Sequence, residues 1–159
     1  MRTGATALSL AVTAVITATP AIAAPVTTNC STLLNSIVKT DVALSAMVQS
    51  NSFSLFPGAT VTINVPAGTT RCIKVIFMPG DWSVGFSGGE FAQGAFVRAL
   101  ANTTALNPAQ PINNPQKLKY FQEWVRRLGP GYYNIQVHIQ PQGGFFSTKN
   151  WVMEVQVLQ

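Results

Sequence analysis

Tyr133-Asn134-Ile135-Gln136-Val137-His138-Ile139-Gln140 alternates large apolar and polar side chains without a break. Successive side chains of an extended strand point to opposite faces. The run therefore puts Tyr133, Ile135, Val137 and Ile139 on one face and Asn134, Gln136, His138 and Gln140 on the other. A helix would scatter both sets around its circumference. One face suits a core and the other suits water, which is the pattern of an antiparallel sheet covered on one side. Trp151-Val152-Met153-Glu154-Val155-Gln156-Val157 repeats it, with Trp151, Met153, Val155 and Val157 sharing a face. Gly143-Gly144 supplies a turn between the two.

Working outward, Thr60-Val61-Thr62-Ile63-Asn64-Val65 alternates in the same way and runs into a turn at Pro66 and Gly68. Arg71-Cys72-Ile73-Lys74-Val75-Ile76-Phe77 is a further strand, ended by Pro79-Gly80-Asp81. Phe91 to Leu100 is another, with Gly94 as a bulge position. Leu33 to Met47 reads as a helical turn or a strand. Asn102 to Gln116, with three prolines and four asparagines, reads as a long loop. Gln116 to Leu128 fits two patterns. Leu118, Phe121, Trp124, Val125 and Leu128 fall on one helical face, and Asn114-Pro115 and Gly129-Pro130-Gly131 resemble helix start and stop signals. As a strand, Leu118, Tyr120, Trp124 and Leu128 share one face and Lys117, Lys119, Glu123 and Arg127 the other. Leu128-x-Pro130-Gly131-x-Tyr133 favours the strand, because a tyrosine near a strand start that ties back to the preceding turn marks a sandwich corner. Short strands with Gly/Pro punctuation and no alternation with helices predict an all-β fold. The expectation is a single antiparallel β-sandwich, Ig-like or jelly-roll-like, over residues 24–159.

Residues 1–23 read as an export signal rather than as part of the fold. Arg2 gives a positive start, Ala5 to Ile16 carries no charge, and Ala21-Ile22-Ala23 after Pro20 offers the small-x-small pattern of signal peptidase. A membrane anchor is the competing reading, but the stretch is rich in Ala and Thr and ends in Pro and the cleavage pattern. No later run is long and apolar enough to span a bilayer as a helix. The expected location after cleavage near Ala23 is secreted or periplasmic. Cys30 and Cys72 are the only cysteines, 42 residues apart, so an oxidising compartment allows a single pairing. A redox thiol pair is disfavoured by the absence of C-x-x-C.

The early cysteine followed by Phe53-x-x-Phe56-Pro57-Gly58, then Arg71-Cys72-Ile73-Lys74-Val75-Ile76-Phe77, then Phe96-Val97-Arg98-Ala99-Leu100, Phe121-x-x-Trp124 and Pro130-Gly131 together resemble a group of small exported bacterial β-sandwich proteins of unknown function. Phe77-Met78-Pro79 stands where such proteins usually read Phe-Ser-Ala. The resemblance implies a sandwich, no activity and no functional residue.

The chain is 47% hydrophobic and 9% charged, with ten Lys and Arg against five Asp and Glu, and it has one histidine. That composition excludes charge-driven disorder and leaves few groups for chemistry. Gly85-Phe86-Ser87-Gly88-Gly89 matches G-x-S-x-G, and Glu90, Glu123 and His138 follow in hydrolase order. The surrounding glycines oppose the helix that such a serine needs, so a hairpin loop is the simpler reading and a small serine hydrolase the minor alternative. His138 has no second histidine two residues away, so no metal site and no cofactor is expected. Asp81 and Glu90 could face each other as a carboxylate pair. Lys117, Lys119, Arg126 and Arg127 cluster with Tyr120, Phe121 and Trp124 against the single Glu123, which points to an anionic polymer or protein partner. The competing reading is a solvated strand face over core aromatics. No nucleic-acid-binding motif is present. Trp82 and Phe86 sit in a Gly/Ser-rich loop where aromatics contact sugars or partners. The expected function is a non-catalytic exported module that binds a macromolecule or surface polymer. The alternative is a structural subunit that forms oligomers through an apolar sheet face bearing Phe121 and Val125.

Overall fold

The computed structural model describes residues 30–41, 46–49, 52–85, 95–114, 121–142 and 145–159. Every regular element in them is a strand: β1 (Leu33–Asp41), β2 (Ala46–Gln49), β3 (Ser54–Val65), β4 (Arg71–Met78), β5 (Asp81–Gly85), β6 (Ala95–Ala101), β7 (Thr104–Ala105), β8 (Ile112–Asn114), β9 (Gln122–Leu128), β10 (Gly131–Pro141), β11 (Phe145–Lys149) and β12 (Trp151–Leu158). All pairings are antiparallel. One sheet has the order β1-β12-β4-β9, and the facing sheet runs β3-β10-β6-β7 with β8 also on β6. The two alternating runs that open the sequence argument, β10 and β12, do not pair with each other. They form central strands of opposite layers.

Their inward residues make the core as the alternation requires. Ile135, Val137 and Ile139 from β10, and Trp151, Met153 and Val155 from β12, are all buried. Val61, Ile63 and Val65 of β3 and Ile73, Val75 and Phe77 of β4 complete the two facing layers.

The third sheet, β2-β11-β5, is a continuation of the first. Strands β1, β12 and β4 continue into β2, β11 and β5 in the same lateral order, and the breaks lie at one level. Asp41 pairs with Trp151 and Met78 with Val152 on one side, while Thr148 pairs with Ala46 and Trp82 on the other. Asn150, with φ 55°, forms the break between β11 and β12, and Pro79-Gly80 forms it between β4 and β5. A three-stranded ribbon is thus interrupted at one level along its length. Phe146 of β11 is fully buried and meets Phe56 edge-on, with ring centroids 6.0 Å apart.

A large bulge in β3 delivers Phe56. Gln136 pairs with Thr60 and His138 with Leu55, so two steps along β10 are matched by five along β3. Phe56-Pro57-Gly58-Ala59 thus stand opposite the single residue Val137, with Phe56 and Ala59 both buried. Phe56 packs edge-on against Phe77 and Trp151, each at 5.4 Å, which joins the two layers. Gly58 has φ +79°, and a Cβ there would lie 3.0 Å from Trp151 Cζ2, so both conformation and space require glycine.

The stretch Gln116 to Leu128 is strand where it is described, with Trp124 and Leu128 buried and Glu123 and Arg127 exposed. Tyr133 Oη donates to Gly129 O at 3.1 Å across Pro130-Gly131, which is the corner that the sequence predicts. Where Leu33 to Met47 is described it is strand, in β1 and the start of β2, and not a helical turn. Strand β6 begins at Ala95; Phe91 to Gly94 lie outside the described residues. Asn102 to Gln116 is not a plain loop. It adds β7 and β8 to β6, and Asn107 exchanges two backbone hydrogen bonds with Val125, 3.0 and 2.8 Å long. A chain rich in Asn and Pro serves here as a strap from one sheet to the edge of the other. Cys30 and Cys72 form a disulfide with Cα atoms 5.9 Å apart. It ties the start of β1 to β4 across the intervening β12.

Candidate functional site

The outer face of β3-β10-β6 gathers the polar residues of the best alternating strand. Going across, Thr62 pairs with Asn134, Thr60 with Gln136 and Leu100, and Leu55 with His138 and Arg98. Gln140 pairs with Phe96 one step beyond. Side chains two residues apart on a strand share a face, so these rows stack into one surface. Thr62 Oγ1 donates to Asn134 Oδ1 at 2.9 Å. Asn102, in a left-handed conformation with φ 54°, accepts from Asn134 N at 2.9 Å and donates through Nδ2 to Tyr132 O at 3.3 Å. Tyr132 is 76% exposed at that end.

Arg98 and His138 form the centre of this surface. The Arg98 guanidinium lies 4.1 Å from the centroid of the Phe53 ring, a cation–π contact that holds the long side chain in one place. The Lys74–Glu123 pair is the one salt bridge among the described residues, so Arg98 has no carboxylate partner there, and its Nε finds no acceptor. His138 Nε2 lies 3.3 Å from Gln136 Oε1 and donates to it when protonated, while Nδ1 is buried without a partner. Burial first, and the Arg98 charge second, hold the His138 pKa below its ordinary value. The imidazole is therefore neutral at pH 7. The patch as a whole is a fixed cation beside hydrogen-bonding amides and a neutral imidazole, framed by exposed Leu55 and Tyr132.

Only some of the residues singled out from the sequence fall among the described ones. Phe86, Ser87, Glu90, Lys117, Lys119 and Tyr120 lie outside the described residues. Trp82 is in β5, paired with Thr148; its side chain and that of Asp81 also lie outside what is described. Arg126 and Arg127 point to opposite faces of β9. Arg127 is exposed, whereas Arg126 turns toward the facing layer and donates through Nη1 to Ala105 O at 2.7 Å, holding the strap. Arg126 thus has a structural contact, and the two described cations of the basic run lie on opposite faces of β9. Trp124 is core, as the competing reading holds, but Phe121 is 61% exposed.

Glu123 projects from the outer face of the β1-β12-β4-β9 layer, where it pairs with Lys74 Nζ at 2.8 Å. His138 projects from the outer face of the opposite layer. The two cannot belong to one hydrolase triad. Among the described residues no three His, Cys, Asp or Glu side chains form a metal-binding group.

Sequence reasoning missed Arg98 and Phe53 as a site. Arg98 sits alone in Phe96-Val97-Arg98-Ala99-Leu100, far in sequence from His138 and Phe53. The available signal was a lone cation in the middle of an otherwise apolar strand. No protein-family model matches the chain, and no curated protein matches it in sequence.

Proposed function

We propose that the protein is an exported, non-catalytic β-sandwich module whose β3-β10-β6 outer face binds an anionic surface polymer. The observation that carries this reading is Arg98, fixed over Phe53 and without a carboxylate partner among the described residues. A guanidinium already held in place loses little entropy on binding and receives a carboxylate or sulfate through two parallel hydrogen bonds. Gln136, Gln140, Asn134 and Thr62 alongside it suit the hydroxyls of an extended chain, and Tyr132 offers a ring for stacking. Export rests on the Arg2 to Ala23 signal pattern, and the Cys30–Cys72 bridge is of the kind that persists in oxidising compartments.

Titration of the purified protein with a polyuronate and with its neutral, reduced counterpart tests the reading. Preference for the polyuronate is expected, with affinity falling at least about tenfold in Arg98→Gln, the value of one charge-assisted hydrogen-bond pair. Equal binding by wild type and Arg98→Gln, or no binding of the acidic polymer, would sink it.

A second reading, a subunit of an assembly, is favoured by the other outer face. Val38 is 57% exposed, Met78 46% and Phe121 61%. Met78 neighbours Val152, and Phe121 precedes the Gln122–Phe77 pair, which places it beside Met78. Exposed apolar rows of this kind mark contact surfaces.

A further inference from the structure

Arg98 and His138 stand directly opposite each other on neighbouring strands. Side chains so placed on one face have Cβ atoms roughly 4.5–5.5 Å apart. Each carries a buried nitrogen without a hydrogen-bond partner, Nε in Arg98 and Nδ1 in His138. The Phe53 ring, its centroid 4.1 Å from the guanidinium carbon, keeps the cation beside the imidazole. No other charged group among the described residues faces His138. Strand β3 brings Leu55, Thr60 and Thr62 to this face, and β6 brings Phe96 and Leu100 on either side of Arg98. On β10 itself the neighbours are Asn134, Gln136 and Gln140, with Tyr132 six residues away. Strands β2, β7 and β8 carry no titratable side chain. The one on β11, Lys149, pairs with Asp81 of β5 in the continuation of the opposite layer.

Gln136 Oε1 can only accept, so Nε2 of His138 carries the hydrogen in that contact and Nδ1 is the nitrogen left to take up a proton. In the free protein such a proton meets two costs. It is buried without an acceptor, and it sets a second positive charge beside Arg98. Both act to keep the imidazole neutral at pH 7. A carboxylate seated on the guanidinium cancels the like-charge repulsion and sets a negative charge one strand away from the imidazole. We propose that carboxylate binding at Arg98 is coupled to protonation of His138, so that the site takes up as much as one proton with its ligand and holds an acidic polymer more tightly as the surroundings acidify. This rests on the polymer-binding reading and adds the regulation of that site. The coupling is reciprocal: whatever factor the proton adds to the affinity for the polymer, the polymer adds to the affinity for the proton.

His138 is the only histidine in the chain, so in untagged protein its imidazole Cε1 proton resonance reports its titration alone. The probe is a soluble uronate oligomer, whose carboxyls titrate well below the range in which a histidine does. At constant ionic strength, saturating oligomer is expected to move the His138 midpoint upward. Arg98→Gln without ligand should move it in the same direction, because the repelling charge is gone. Calorimetric titration should show wild-type affinity for the oligomer rising at least about fivefold from about pH 7.5 to about pH 5.5, the low end of ordinary coupling between sites. Heats measured in two buffers of different ionisation enthalpy should show proton uptake on binding. His138→Gln is expected to lose both the rise and the uptake, with its near-ultraviolet circular dichroism confirming the fold. A His138 midpoint that stays in place when the oligomer binds, or an equal rise in His138→Gln, would overturn the coupling and leave the polymer site standing. No binding of the oligomer anywhere in this range would overturn the polymer reading and the coupling with it.

Discussion

Tyr133 shows how one hydroxyl can hold a corner. Its ring packs on the core, and its Oη reaches Gly129 O across the Pro130-Gly131 turn, where Gly131 has φ 148°. Tyr133→Phe removes the hydrogen bond and keeps the ring. The expected loss is about 1 kcal/mol, read as a lower urea midpoint with unchanged slope. His138 has a different signature. Its folded pKa lies below the unfolded one, so the unfolded chain binds the proton more readily. Stability is therefore complete above the unfolded value of about 6.5 and declines as the pH falls through it toward the folded value. Glu154, held low by Gln156 and Ser36, adds a separate loss further down, as the pH drops below the ordinary carboxylate range. Denaturant midpoints measured between pH 7 and 5 should fall for wild type and stay flatter for His138→Gln. An equal fall in both would show that burial beside Arg98 does not govern this range.

At the scale of the element, the β3 bulge explains why Phe56-Pro57-Gly58 interrupts a strand. The bulge spends four residues to place one phenylalanine where Phe77, Phe146 and Trp151 meet. Gly58→Ala would force a side chain into positive φ and press its Cβ on the Trp151 indole. A destabilisation of about 1–3 kcal/mol is expected. Loss of the near-ultraviolet circular dichroism of the tryptophans before the far-ultraviolet signal would locate the damage in that cluster. The strap 102–114 is the other element that local reading misjudges. Its prolines and asparagines lack the strand pattern, and the backbone pairing with Val125 draws on no side-chain preference.

For the whole molecule, the pairings are almost all distant in sequence. Of the strand pairs among the described residues, β6 with β7 is the only one between consecutive elements. Such topologies must close long loops before any contact forms, so folding belongs to the slow, millisecond-to-second class. The Cys30–Cys72 bridge closes one of these loops in advance. With a 42-residue separation, the loop-entropy model puts its contribution at about 4 kcal/mol as an upper figure. Reduction, or Cys30→Ser with Cys72→Ser, should lower stability by about 2–4 kcal/mol and leave the unfolding slope larger, because the unfolded chain becomes more open.

The sequence by itself determined the strand class, the inward set on β10 and β12, the sandwich corner at Tyr133 and the cysteine pairing. Each depends on spacing along the chain, or on there being only two partners, and the period of two in strands makes spacing equivalent to direction. Only the tertiary structure decided that β10 and β12 lie in opposite layers, that Arg126 faces inward while Arg127 does not, and that Phe53, Arg98 and His138 meet on one surface. Those facts depend on which strands pair, and hydrogen bonds between backbones carry almost no record of that choice in the side chains.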